Sequence, residues 1–166
     1  MRFIAYRPFQ RQLKQRYQPR SGCYFYDAFD QLAQYDLHGR LSWRRVASTS
    51  ESAAKLLRAK PPFVLFTDRL AGWRQAPNGR RRSPIRCDSI AEALGVIRER
   101  SYFRDRTSYA DNYYLCDRSL LWFMTFCHHD GWHLWLPTKA AASPLWRRWQ
   151  VDTGAAITRA RALKDA

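Results

Sequence analysis

Acidic side chains are scarce in this sequence. Its 166 residues contain 14 Asp and Glu against 29 Lys and Arg, which gives a formal net charge of +15. The only glutamates are Glu51, Glu92 and Glu99, and the first two are spaced for helix capping. A two-metal nuclease needs a cluster of carboxylates around its metal ions. This composition therefore disfavours that class of enzyme.

Long apolar runs are absent as well. No stretch of about 18 uncharged apolar residues occurs, so the sequence predicts no membrane span and no membrane partner. The first residues, MRFIAYRPFQRQLKQR, lack the apolar segment of a signal peptide. We therefore expect a cytoplasmic location.

The cysteines form no CxxC pair. They are Cys23, Cys87, Cys116 and Cys127. Without an export signal, reduced and partly buried thiols are their expected state. The sequence also lacks the GxGxxG, Walker, HExxH, GxSxG, zinc-finger and deaminase patterns. We therefore expect no cofactor, and no motif predicts an enzyme.

The abundant cations are mostly arginine. Only five of the 29 basic residues are Lys, so 24 are Arg. Arginine binds phosphate through two parallel hydrogen bonds and stacks on bases, which lysine does not do. A G+C-rich genome explains a preference for Arg over Lys, but it does not explain an excess of 15 positive charges. The charge predicts a polyanionic partner, first of all nucleic acid, with RNA and DNA both open.

The order of the sequence patterns predicts an α+β fold. We expect one compact domain over residues 1–150, with 151–166 as a basic tail or a short helix. Its organising feature is an aromatic β-hairpin over residues 112–137, placed at the centre of an antiparallel or mixed sheet. Two or three helices are expected to pack on this sheet.

The hairpin register follows from its predicted turn. Asp130-Gly131 is typical of a two-residue type I′ turn. Counting outward from that turn pairs Phe126 with Trp135 and His128 with His133. Both faces of these strands are apolar away from the turn, so we expect the hairpin to be covered on both sides.

Other elements follow from periodicity and capping signals. The strands predicted are 1–6, 23–26, 41–47, 63–67 and 112–117, the last joined to the hairpin through residues 117–119. The helices predicted are a short one after Pro8, one over 27–37, two opened by capping boxes at 48–51 and 89–92, and one opened near Ser143-Pro144 that packs Leu145, Trp146 and Trp149.

The N-terminal residues 1–20 are the first candidate nucleic-acid contact. This arm contains six cations and no acid, interleaved with aromatic side chains. Cations neutralise phosphate and rings stack on bases, so Arg11 and Arg16 are candidate contacts. The alternative is a solvated segment whose aromatic residues dock on the core.

The long segment 68–87 is the second candidate. A loop of this length inside a compact domain is typically functional or disordered. Its candidate contacts are Trp73, Arg74, Arg80, Arg81 and Arg82. The alternative is a mobile loop whose charge is incidental. Arg44 and Arg45, on the exposed side of the predicted strand 41–47, complete the set.

A histidine group at the hairpin turn has three interpretations. His128 and His133 are polar residues at a wet turn, or ligands of a metal together with Asp130, or the general acid and base of a ribonuclease. Cys127 is a further possible ligand, although it is expected on the other face. The third interpretation restricts cleavage to RNA, because the 2′-hydroxyl would be the nucleophile.

Three functional hypotheses result. The first is a non-enzymatic nucleic-acid-binding protein. The second is an inhibitor or neutraliser that docks an acidic protein partner, and the third is the ribonuclease. The hairpin resembles those of small bacterial immunity-type proteins, with a Trp-bearing strand and a His-Asp pair. That resemblance includes no functional motif and assigns no residue a role.

Overall fold

The computed structural model of the chain describes residues 2–17, 32–36, 43–67, 83–99, 112–126 and 132–162. The strands are β1 (Arg2–Phe3), β2 (Leu32–Asp36), β3 (Phe63–Thr67), β4 (Ile85–Cys87), β5 (Tyr113–Cys116), β6 (Phe123–Phe126) and β7 (Trp132–Pro137). The helices are α1 (Tyr6–Arg16), α2 (Trp43–Leu56), α3 (Ile90–Glu99), α4 (Thr138–Ala141) and α5 (Pro144–Ala162). The predicted strand 23–26 lies outside the described residues.

The strands form one antiparallel sheet. Within the described ranges it has seven strands in the order β1-β4-β3-β5-β6-β7-β2, and every pairing is antiparallel. The α+β class is therefore confirmed. The central place predicted for the hairpin is not confirmed, because β5 is the middle strand and β6 and β7 lie to one side of it.

Alternation along the strands divides the core between the two sides of the sheet. We call one side the helix-rich face; its buried strand residues are Phe63, Leu65, Ile85, Cys87, Tyr113, Leu115, Met124, Phe126, Leu134 and Leu136. We call the other side the α1 face; its buried strand residues are Val64, Phe66, Tyr114, Cys116, Phe123 and Trp135. The expected covering of both sides is confirmed for β6 and β7.

Different helices cover the two faces. Buried residues of α2, α3 and α5 join the core of the helix-rich face. Phe9 and Leu13 of α1 join the core of the α1 face. Each amphipathic helix thus buries one apolar stripe against the sheet.

The best predicted elements are β3 and α3. All five residues of β3 are buried. At the start of α3, the Ser89 hydroxyl accepts the Glu92 amide hydrogen at 3.1 Å, and the Glu92 carboxylate accepts the Asp88 amide hydrogen at 2.7 Å. These bonds satisfy amides that have no partner inside the helix. The predicted Ser89 cap is confirmed, whereas the Glu92 carboxylate binds the amide of Asp88 instead of the amide of Ser89.

The prediction of a strand over 41–47 followed by a helix from Ser48 is wrong. A single helix, α2, begins at Trp43, and its buried side chains are Val46, Thr49, Ser50, Ala53 and Ala54. This helical stripe runs straight through the Ser-Thr-Ser-Glu motif, so the motif does not open a helix. The Ser48 and Ser50 hydroxyls instead donate to the Arg45 and Val46 carbonyls of the preceding turn.

The helix predicted over 27–37 is also wrong for its described part. Leu32–Asp36 is strand β2, which pairs along its whole length with β7. Five consecutive pairings with β7 outweigh the weak helical spacing of a short segment. Tertiary contacts commonly override local propensity in this way.

The predicted hairpin register is wrong by three residues. Phe126 pairs with Trp132, and Trp135 pairs with Phe123, so five residues separate the paired ends instead of two. An odd shift moves every side chain of one strand to the other face. Trp135 therefore packs on the α1 face, where its indole nitrogen donates to the Thr125 hydroxyl at 3.1 Å. The observed pairing of β6 with β7 therefore differs from the register that the Asp-Gly turn predicts.

The N- and C-terminal elements agree with prediction in outline. The predicted strand 1–6 is reduced to Arg2–Phe3, and a helix follows it. Ser143 caps α5 by accepting the Trp146 amide hydrogen at 3.4 Å. Trp146 and Trp149 are buried, but Leu145 is 58% exposed, so its predicted packing is wrong. The backbone of 151–162 is helical. None of the described helices is long and apolar enough to cross a bilayer.

Candidate nucleic-acid interface

Helix α1 is an amphipathic helix on the surface of the α1 face. Its buried positions Phe9 and Leu13 are one turn apart. Pro8 lies in the first helical turn, where a missing amide hydrogen costs no helical bond. The helix ends at Tyr17, whose amide donates to the Leu13 carbonyl at 2.8 Å.

Two ring contacts and one hydrogen bond fix α1 and its cap residue Tyr17 on the sheet. The Phe9 ring meets the edge of Phe66 at a centroid distance of 5.3 Å. The Tyr17 ring meets Phe123 at the same distance, and its hydroxyl donates to the Leu120 carbonyl. Burial raises the pKa of Tyr17, although the neighbouring Arg16 opposes the shift by its charge and a hydrogen bond. The phenol thus stays protonated and can keep donating.

The solvent side of α1 is basic. Arg7, Arg11 and Lys14 follow one another at helical spacings of four and three residues, so they lie on one side of the helix. They border a shallow depression of about 420 Å³ together with Gln10 and Gln15. We call these five residues the basic face of α1. No acidic residue occurs in the helix.

No described carboxylate forms an ion pair with Arg7, Arg11 or Lys14; the ion pairs of described residues involve Arg2, Arg86 and Arg148. Neighbouring like charges on a helix destabilise it by about 0.2–0.5 kcal/mol a pair. A cation in the first turn, such as Arg7, is also disfavoured by the positive end of the helix dipole. The basic face therefore does not serve the stability of α1, and an external anion would relieve its repulsion.

The predicted contact residues fall on two sides of the sheet. Arg11 lies on the basic face, whereas Arg16 lies toward the end of α1 and bonds to Tyr17. Arg44 and Arg45 lie in the first turn of α2, across the sheet from α1. The structure thus does not bring these two pairs into one surface.

The loop candidates Trp73, Arg74, Arg80, Arg81 and Arg82 lie outside the described residues. Their contact with nucleic acid stays a prediction.

The cross-strand pairing predicted for His128 and His133 does not agree with the strand register. Thr125, not His128, is opposite His133. The Nδ1 atom of His133 lies 3.0 Å from the side-chain nitrogen of Gln34. His128 and Asp130 lie outside the described residues, and among those described no group of three His, Cys, Asp or Glu side chains is placed to hold a metal ion.

The two described cysteines are free and buried, one on each face of the sheet. Burial, with the carboxylates of Glu92 and Asp88, raises the pKa of Cys87 to about 12. Burial also raises the pKa of Cys116 well above its ordinary value. Neither thiol is therefore activated as a nucleophile.

Sequence reasoning missed two cations of the basic face, Arg7 and Lys14. A signal was present, because their spacing with Arg11 complements the apolar pair Phe9 and Leu13 on a helical projection. Arg86 and Arg118 were missed as well. They line one cleft beside α1, and only the strand order brings them together.

Comparison of the chain with family models, with curated proteins and with solved structures gave no match.

Proposed function

We propose that this protein is a non-enzymatic nucleic-acid-binding protein that contacts phosphates through the basic face of α1. The observation that carries the proposal is a helix fixed to the sheet by its apolar side, with Arg7, Arg11 and Lys14 on the other side. Free thiols at Cys87 and Cys116 accord with the cytoplasmic location that belongs to this proposal.

The dimensions of the basic face suit a phosphate backbone. Lys14 lies seven positions after Arg7, which corresponds to about 10 Å along a helix axis. In a duplex the phosphates of one strand recur about every 3.4 Å along the axis. Three cations spread over about 10 Å can therefore each bind a different phosphate of one strand.

Two features favour nucleic acid over an acidic protein. Arginine dominates the basic residues of the chain, and its guanidinium can stack on bases besides binding phosphate, whereas an acidic protein offers it carboxylates only. Gln10 and Gln15 border the cations and supply neutral amide donors, which commonly bind phosphate and sugar oxygens. An acidic protein partner is the competing outcome of the test.

The test compares two variants that lose the same charge. The first carries Arg7→Gln, Arg11→Gln and Lys14→Gln. The control carries Lys55→Gln, Arg98→Gln and Arg147→Gln, which are exposed positions on the helices of the helix-rich face. Affinities for labelled single-stranded RNA, single-stranded DNA and duplex DNA are measured by fluorescence anisotropy at constant salt.

We expect the α1 variant to bind roughly 100- to 500-fold more weakly near 0.1 M salt, because each of the three lost phosphate contacts removes about 0.7–0.9 of a log unit there. The control should change affinity by less than about threefold, because it keeps the three contacts. Equal losses in both variants would contradict the proposal. If the wild type binds none of the three nucleic acids, and acidic protein co-purifies with it, the function is protein binding instead.

A further inference from the structure

A second site borders α1 on the opposite flank from Gln10. A cleft of about 530 Å³ lies between α1, strands β3 and β4, and the turn that joins β5 to β6. Its lining residues are Phe3, Ile4, Phe9, Gln12, Pro62, Val64, Arg86, Arg118 and Leu120. This volume is within the range of about 300–1,000 Å³ that is usual for small-molecule sites.

The floor of the cleft is apolar and belongs to the core. Phe9, Val64 and Leu120 are buried, with exposures of 5%, 3% and 6%. Ile4 packs against the same core cluster. A flat apolar group entering the cleft would therefore meet side chains that are already held in place, and its binding would order little of the protein.

Leu120 is held in an unusual backbone conformation. Its φ angle is +52°, which is disfavoured for a residue with a Cβ atom. The surrounding turn maintains it. The Leu120 amide donates to the Asp117 carbonyl at 3.2 Å, and the Leu120 carbonyl accepts the Tyr17 hydroxyl. The bond from Tyr17, the residue that caps α1, thus connects Leu120 in the floor of the cleft to that helix.

Two arginines border the apolar floor. Arg118 is exposed in the turn between β5 and β6, and the adjacent carboxylate of Asp117 already accepts hydrogen bonds from the amide and hydroxyl of Ser119. The Nε atom of Arg86 donates to Asp88 at 3.4 Å, which leaves its terminal nitrogens for another acceptor. No carboxylate side chain lines the cleft.

This combination selects a ligand with a flat apolar body and an anionic group. We propose that the cleft takes one unpaired nucleotide, with its base on Phe9, Val64 and Leu120 and its phosphate at Arg86 and Arg118. The inference rests on the proposed function and names its substrate class as single-stranded nucleic acid. Gln12, in the cleft, directly follows Arg11 of the basic face, so one strand can reach both sites.

Single strands should bind better than duplexes, because their bases are not paired. A base in a duplex has to leave its pair and its stack before it can enter a protein pocket, which costs a few kcal/mol. In a single strand most of that cost is absent. The basic face contacts phosphates of both forms and gains slightly more per contact from a duplex, so a preference for the single strand arises in the cleft.

The experiment blocks the cleft without touching the basic face. Gln12→Trp places a large side chain at an exposed position of the lining, and Gln150→Trp is the matched exposed control on α5. Arg118→Gln, also at an exposed position, removes one cation and keeps the test valid if the Trp variant misfolds. Affinities for a single strand and a duplex of the same sequence are measured for each protein.

We expect the wild type to prefer the single strand by at least about tenfold, in keeping with the saved unpairing energy. Gln12→Trp should abolish that preference and leave duplex affinity unchanged, whereas Gln150→Trp should keep both. Arg118→Gln should weaken single-strand binding about fivefold through one lost phosphate contact.

Different outcomes would overturn the cleft assignment and the proposed function. Equal binding of single strand and duplex by the wild type, with loss of both in the α1 variant, would overturn the cleft assignment and keep the proposed function. Unchanged preference in both Gln12→Trp and Arg118→Gln would overturn it as well. Absence of binding to either nucleic acid would overturn both.

Discussion

The two faces of the sheet are built differently in the described part of the chain. Three helices, α2, α3 and α5, contribute buried residues to the helix-rich face. On the α1 face one described helix of 11 residues does so. The cleft lies on this second face, beside the helix.

The polar groups of the two faces also differ in what they contact. On the helix-rich face they bond to one another: the Trp149 indole donates to Ser52 at 3.0 Å, and Ser89 and Glu92 cap α3. On the α1 face, the cations of α1 have no described carboxylate partner. We infer that the helix-rich face serves stability and that the α1 face serves binding.

The largest expected effect comes from matched core truncations. Leu13→Ala on α1 and Leu94→Ala on α3 each remove a buried side chain, so each should lower the free energy of unfolding by about 2–5 kcal/mol. Under conditions where both variants are folded, only Leu13→Ala should weaken nucleic-acid binding, because it loosens the basic face. Denaturant unfolding and anisotropy measure the two quantities. Equal effects on binding would show that the faces are not functionally distinct.

A smaller difference is expected in the protection of the two buried thiols. Cys116 lies under the α1 face and Cys87 under the helix-rich face, and the raised pKa of both keeps them protonated at pH 8. Release of a single short helix costs less than release of several packed ones. Iodoacetamide should therefore label Cys116 faster than Cys87 in the native protein. The labelling rates differ about tenfold if the free energies of local opening differ by about 1.4 kcal/mol.

Peptide mass spectrometry gives the labelling rate of each thiol, with fully unfolded protein as the reference. Faster labelling of Cys87 would contradict the assignment of the α1 face as the more easily opened side.

The smallest effect distinguishes two similar serines of the helix-rich face. Ser89→Ala should cost about 1 kcal/mol, because it removes the cap of α3. Ser48→Ala should change the free energy of unfolding by less than about 0.5 kcal/mol, because the better helix propensity of Ala within α2 offsets the lost hydrogen bond to the Arg45 carbonyl. Thermal or urea unfolding of both variants measures the difference. A cost of similar size for both would mean that the Ser48 hydroxyl contributes as a cap does.

Agreement between independent local signals explains which elements the sequence predicted. At α3, the capping box and the apolar stripe Ile90, Ala93, Leu94 and Ile97 indicate the same helix, and the structure has it. At α2, the Ser48–Glu51 motif conflicted with a longer apolar stripe, and the stripe was the correct signal. Between β6 and β7, the register expected from the Asp-Gly pair differs from the observed one, in which Phe123 pairs with Trp135.

The candidate site was predictable only in part. Arg11 belongs to a local helical pattern, so the sequence contains the information needed to find its neighbours on the basic face. The cleft does not arise from any local pattern. Arg86 and Arg118 meet beside α1 because β4, β3 and β5 are consecutive in the sheet, and pairing between distant strands cannot be read from charge or spacing.

The salt dependence of binding tests the central claim most directly. The slope of log affinity against log salt concentration is measured with a single strand for the wild type, the α1 variant and the control variant with equal loss of charge. The account predicts a slope reduced in magnitude by about 2 for the α1 variant, since each single-strand phosphate contact contributes about 0.7, and an unchanged slope for the control. Identical slopes for the two variants would contradict it, because binding would then depend on net charge and not on the basic face of α1.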